Sequence, residues 1–152
     1  MDTMPVRDVA MDSEASHCEL MHSLLHAAHV VEGQLEGALE GVGMSLAKLS
    51  VLRHLVAAGE PLPLSQLADR SSCVRSNMTQ LVDRLEGDGL VKRVADPNDR
   101  RSVRASLTRA GQRRHDEALR LLRTREREIV STLDAAECAA LAATLTRLAP
   151  GR

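Results

Sequence analysis

The chain of 152 residues has no phenylalanine, tyrosine or tryptophan. Bases or ligands therefore cannot be held by stacking on aromatic rings. The core has to come from Leu, Val, Ala, Met and a single Ile, a set that favours helix packing. Cysteine is scarce too: Cys18, Cys73 and Cys138 lie far apart, and no CxxC pair occurs. An odd, sparse set is no disulfide framework, and a structural zinc ribbon is excluded. No apolar run approaches the 18 or so residues that a membrane-spanning helix needs. The N-terminal MDTMPVRDVAMDSEAS is acidic and mixed, unlike a signal peptide, so a cytoplasmic location is expected.

Length and composition fit one soluble globular domain, with 43% hydrophobic and 27% charged residues. The net charge of −1 hides an uneven distribution. Residues 1–69 carry −7, residues 70–127 carry +7 and residues 128–152 carry −1. A basic block inside a neutral chain is the footprint expected for a polyanion partner, although an arginine-rich solvated helix face gives the same count.

Residues 1–15 lack periodicity and read as a loose tail. From Ser16, apolar residues at Leu20, Met21, Leu24, Ala28, Val31, Leu35 and Leu39 predict an amphipathic helix to about residue 41. Gly41 and Gly43 stop it, and Ser45 caps a second helix with Leu49, Leu52, Leu55 and Val56 inward. LSQLADR (64–70) opens a short helix. After a break it is followed by another, in which Met78, Leu81, Val82 and Leu85 share one face. Two short helices joined in this way make a helix-turn-helix. LVKRVA and SVRASLT flank an arginine-rich turn and predict a β-hairpin, with Asp96-Pro97-Asn98 as turn residues. Thr108 then caps a long helix to about residue 132, with Leu119, Leu122, Ile129 and Val130 inward. Asp134 caps a last one with Leu141, Leu145 and Leu148, and Cys138 reads as core.

A helix-turn-helix followed at once by a hairpin is a winged helix. The expected fold is mainly α, with a two-stranded β-wing and a helical body. The second helix of the motif would lie in a DNA major groove, with the arginines of the hairpin tip reaching phosphates or the minor groove.

The stretches GMSLAKLSVL (43–52), LSQLADR (64–70), RSNMTQLVDRLEGDGLVKR (75–93) and DPNDRRSVRASLTRAG (96–111) together resemble the MarR-type (multiple antibiotic resistance regulator) transcription factors. The resemblance covers about residues 16–148. It implies a homodimer whose helices about 16–41 and 108–148 form the dimer body. A winged helix of about 45–108 would bind double-stranded DNA at a palindromic operator, with an effector modulating affinity. By family position, Arg101 would enter the minor groove, Asp99 would orient a wing guanidinium, and Arg100 would meet phosphate. Arg75, Ser76, Asn77, Gln80 and Arg84 are the DNA-facing candidates on recognition helix 74–87. They are polar positions opposite Met78, Leu81 and Leu85, and Asn or Gln can bond adenine bidentately. One departure is the helix start, where Cys73 and Val74 cap poorly and Ser72 is the alternative.

A second constellation is HCELMHSLLHAAH, in which Cys18, His22, His26 and His29 fall within an arc of about 80° on one helix face. Such a stripe could take Zn²⁺ or a copper ion, with His115, Asp116 and Glu117 as further ligands. The alternatives are that it is merely solvated, packs at the dimer seam, lines an organic-ligand pocket or senses protons. Cys18 and Cys73 are the candidates for redox sensing. No HExxH, GxSxG, P-loop or GxGxxG motif occurs, so an enzyme is not expected. The contrasting class is a winged helix used for protein contact alone, distinguished by weak salt dependence of partner binding.

Overall fold

The computed structural model describes residues 7–71, 75–99 and 102–149, with side chains of 16–71, 76–99 and 102–149. Its elements run α1 (Arg7–Glu40), α2 (Leu46–Ala58), β1 (Leu62–Pro63), α3 (Leu64–Arg70), α4 (Arg75–Gly87), β2 (Val91–Ala95), β3 (Val103–Leu107), α5 (Arg109–Val130) and α6 (Ala135–Leu148). The chain divides into two compact units, Met1–Gln34 and Leu35–Arg152.

The first unit holds most of α1. This helix starts at Arg7 rather than near Ser16, so residues 7–15 are helical where a tail was expected. A helix already nucleated gains one backbone bond for each residue fixed, so it extends without an apolar stripe. Leu20, Met21, Leu25, Val30 and Val31 are exposed.

The second unit contains the core. Leu39, Leu49, Val51, Leu52, Leu55, Leu67, Met78, Val82, Leu85, Val91, Ala105, Ala118 and Leu122 are buried together. Ser45 caps α2 as expected, its hydroxyl accepting from the Lys48 amide. Val51 is buried, whereas Val56 is only half-buried. The hairpin β2–β3 forms as expected, with Arg93 opposite Ala105 and Val91 opposite Leu107. A short third strand joins it: β1 pairs antiparallel with β3, Leu62 opposite Ala105, giving the order β1-β3-β2. Two residues ending in proline carry no strand signal, and proline is tolerated there because β1 is an edge strand.

Recognition-helix candidate α4 ends in a left-handed glycine. Gly89 has φ 72°, and the Leu90 amide bonds back to the Leu85 carbonyl at 2.9 Å, the geometry of a Schellman stop. Thr108 caps α5. The buried stripe of α5 is Gly111, His115, Ala118 and Leu122, with Leu119 and Ile129 half-buried and Val130 exposed. Small residues thus line the face of α5 that approaches the winged helix most closely, which is why a hydrophobicity count points one position off. Asp134 and Glu137 form a capping box at the start of α6. That helix has no buried residue: Leu141, Leu145 and Leu148 are exposed, and Cys138 is half-buried rather than core.

Candidate nucleic-acid interface

The polar face of α4 is determined by what the opposite face buries. Met78, Val82 and Leu85 are fully buried, and Leu81 is half-buried. Helical periodicity then turns Ser76, Asn77, Gln80 and Arg84 outward, and all four are exposed. Their side chains make no hydrogen bond or ion pair with described residues, so their donors and acceptors are available to an external partner. Arg75 begins α4, but its side chain lies outside the described residues, as do Cys73 and the capping alternatives Ser72 and Val74.

Three ion-paired contacts fix this helix and the wing. In the first, Lys48 Nζ lies 2.8 Å from Asp88 Oδ2 and donates to the Gly43 carbonyl at 3.2 Å, tying the turn after α4 to the start of α2. In the second, Arg93 on β2 reaches back to α4. Its Nη1 donates to Asp83 and, at 3.1 Å, to Glu86 Oε2, while its backbone amide donates to Glu86 Oε1 at 2.8 Å. In the third, Asp96 is buried at the end of the hairpin. Its Oδ2 accepts from Arg104 Nε at 2.7 Å, and its Oδ1 accepts from the Asn98 amide at 2.8 Å. The hydrogen bond from Arg104 is the main reason the Asp96 carboxyl is held below the usual carboxylate range, with the Asn98 amide next. The same bond raises Arg104.

The Asp96–Arg104 pair closes the hairpin independently of Asp99, the residue expected to orient a wing guanidinium. Asp99 is exposed, and its carbonyl accepts from the Ser102 amide at 2.9 Å. Arg100 and Arg101 lie outside the described residues. Sequence reading missed Arg93 and Arg104. The available signal was a cation on each strand within reach of an acidic residue, which becomes legible only once strand register is known.

The base of the wing is joined to α5 through Thr108. Its hydroxyl donates to the carbonyls of Gly89 (2.8 Å) and Leu90 (3.0 Å) and accepts from the Gly111 amide at 2.9 Å. Gly111 packs so tightly that an added Cβ would lie 2.0 Å from the Leu90 carbonyl oxygen.

The sensory candidates are placed less favourably. Cys18, His22, His26 and His29 are all exposed on α1. Among the described residues, no three His, Cys, Asp or Glu side chains converge as a metal site would require. His115 is buried on α5 with its Nδ1 2.9 Å from Asp116 Oδ1, and this contact holds the Asp116 carboxyl below its ordinary range. His115 is thus buried within the second unit. No single helix among the described residues is long and apolar enough to cross a membrane.

Residues 44–103, from the start of α2 through the wing, match the model of the MarR family. This match supports a MarR-family winged helix. MarR-family likeness extends over most of the fold. A mutant MarR from E. coli complexed with operator DNA is 26% identical, covers 86% of this chain and 94% of its own, and has a TM-score of 0.75. CouR from Rhodococcus jostii RHA1, bound to p-coumaroyl-CoA, is 25% identical with 88% and 94% coverage and a TM-score of 0.70. The transcriptional repressor YetL of Bacillus subtilis is 31% identical over 107 residues, 70% of this chain and 64% of that protein. Matches to the curated relatives span 40% to 73% of their own lengths. The relatives are named as transcriptional regulators and repressors, and the chain shares the winged helix-turn-helix fold of the MarR structures.

Proposed function

We propose that the protein is a homodimeric repressor that binds a palindromic operator through α4 and the wing, and that an effector modulates its DNA affinity. The observation that carries this reading is the outward face of α4. Four polar side chains, Ser76, Asn77, Gln80 and Arg84, have no partner within the described residues and are held rigidly by the buried face behind them. Asn77 and Gln80 are suited to bidentate bonds with adenine in the major groove, and Arg84 to guanine or phosphate. The wing extends from the same unit, and in sequence Arg100 and Arg101 fall between its two strands.

Dimerisation is supported by α6. A 14-residue helix with no buried residue is marginal in water, and three exposed leucines on it are a face awaiting a second chain. Two-fold symmetry in the protein calls for two-fold symmetry in the operator. Effector control is supported by the similar CouR, whose crystal structure holds p-coumaroyl-CoA.

The test is DNA binding by the full-length chain against fragmented genomic DNA at two salt concentrations. Palindrome-centred binding that falls steeply with salt supports the reading. Arg101→Ala should cost about 1–3 kcal/mol of that binding if the side chain reads the groove. Binding to no fragment under either condition overturns it.

A further inference from the structure

The face of α4 that carries Ser76 and Gln80 also carries a carboxylate. At about 100° per residue, Asp83 lies about 20° from Ser76, 40° from Thr79 and 60° from Gln80. Asp83 is exposed, and Glu86 is half-buried one turn along the flank. Two acidic groups on a surface meant for a polyanion would repel phosphates. Both are engaged by one cation, the Arg93 guanidinium, which donates through Nη1 to Asp83 and to Glu86 and reaches the Thr79 carbonyl with Nη2 at 3.5 Å.

We propose that Arg93 is a positioning residue that sets operator affinity electrostatically, by neutralising Asp83 and Glu86 on the recognition face, and not only by fastening the wing to α4. The proposal rests on the operator-binding reading above. It commits to a role for a residue that need not touch DNA: the free polar groups of α4 approach the groove because the neighbouring negative charges have been cancelled from behind. The geometry also explains why an arginine serves here. Its planar fork meets two carboxylates and a carbonyl at once, where a lysine would act as a point charge.

The experiment compares the full-length wild type, Arg93→Ala, Asp83→Asn and the Arg93→Ala/Asp83→Asn double variant. Each is titrated against a labelled duplex that the wild type selects from genomic fragments, over a range of salt. Arg93→Ala should weaken binding by roughly tenfold or more at low salt, as expected for like charges brought together, and the deficit should shrink as salt screens the exposed carboxylates. Asp83→Asn alone, which leaves Arg93 in place, should bind at least as tightly as the wild type. The deciding result is the double variant. Its affinity should recover part of the way towards wild type, because Asp83, the more exposed of the two charges, is gone although the latch stays broken. A double variant as weak as Arg93→Ala assigns Arg93 to fastening alone and overturns the proposal. Should Arg93→Ala fail to fold, as judged by circular dichroism, Asp83→Asn remains decisive: weaker binding by that variant overturns the proposal. A wild type that selects no duplex defeats the regulator reading itself, which is distinguishable from any of these.

Discussion

Arg104 Nε and Asp96 Oδ2 lie 2.7 Å apart across the hairpin, with Asp96 buried and Arg104 half-buried. This pair closes the end of the wing, because the same aspartate also accepts the Asn98 amide that starts the turn. The folded carboxyl lies below its ordinary value, so this contribution to stability is fully present above the unfolded value of about 4 and is lost as pH falls through the folded one. The expected outcome is that Asp96→Asn melts below wild type at pH 7, and that the two curves converge in acid. Melts followed by circular dichroism at both pH values check this; equal melting at pH 7 would remove the pair from the stability of the wing.

Gly111 should be irreplaceable for a reason unrelated to backbone torsion. A methyl group there would overlap the Leu90 carbonyl oxygen and press on Leu107. Gly111→Ala should therefore lose about 1–3 kcal/mol, the usual cost of overpacking, despite alanine's better helix propensity. Urea denaturation measures it, and a stabilised variant would contradict the packing described.

His54 on α2 has its pKa lowered, first by burial and then by Arg70 and Arg53. A folded value below the unfolded one means that the unfolded chain binds more protons between the two. Stability from this site is thus present above about pH 6.5 and falls as pH drops through the folded value. His54→Gln should flatten the pH dependence of the melting temperature below about pH 6.5; an unchanged slope would mean that another group titrates there.

On the homodimer proposed above, Leu141→Arg combined with Leu145→Arg should give a monomer of lower operator affinity, while leaving the winged helix folded. Sedimentation and circular dichroism together check this. An intact dimer would place the interface elsewhere.

Chelator treatment should leave the melting temperature unchanged, since the buried core is aliphatic and no three ligands converge among the described residues. A drop after dialysis against EDTA, restored by Zn²⁺, would instead show a site assembled between chains from the α1 histidines.

Much of this fold can be read from particular residues. Ser45, Thr108 and Asp134 each precede an apolar periodic run, and each caps the helix that it announces. Met78, Val82 and Leu85 define the inner face of α4 by spacing alone. What could not be read depended on register or on packing distance. The partnership of Arg93 with Asp83 and Glu86 exists because β2 folds back along α4. The burial of His115 follows from Gly111 and Ala118, whose small size draws α5 inward. Strand β1 is two residues long and acquires its identity only from Ala105 and Arg104 opposite it.

On the proposed homodimer, the uncovered leucines of α6 have a consequence for gene control. Where a helix finds its partner only in another copy of the chain, folding, assembly and DNA competence become one concentration-dependent step. At low abundance, the number of assembled regulators rises as the square of the number of chains. An operator read by the pair would then be filled over a narrower range of expression than one read by a monomer. A regulator controlling its own gene would gain a threshold from this, with no effector involved.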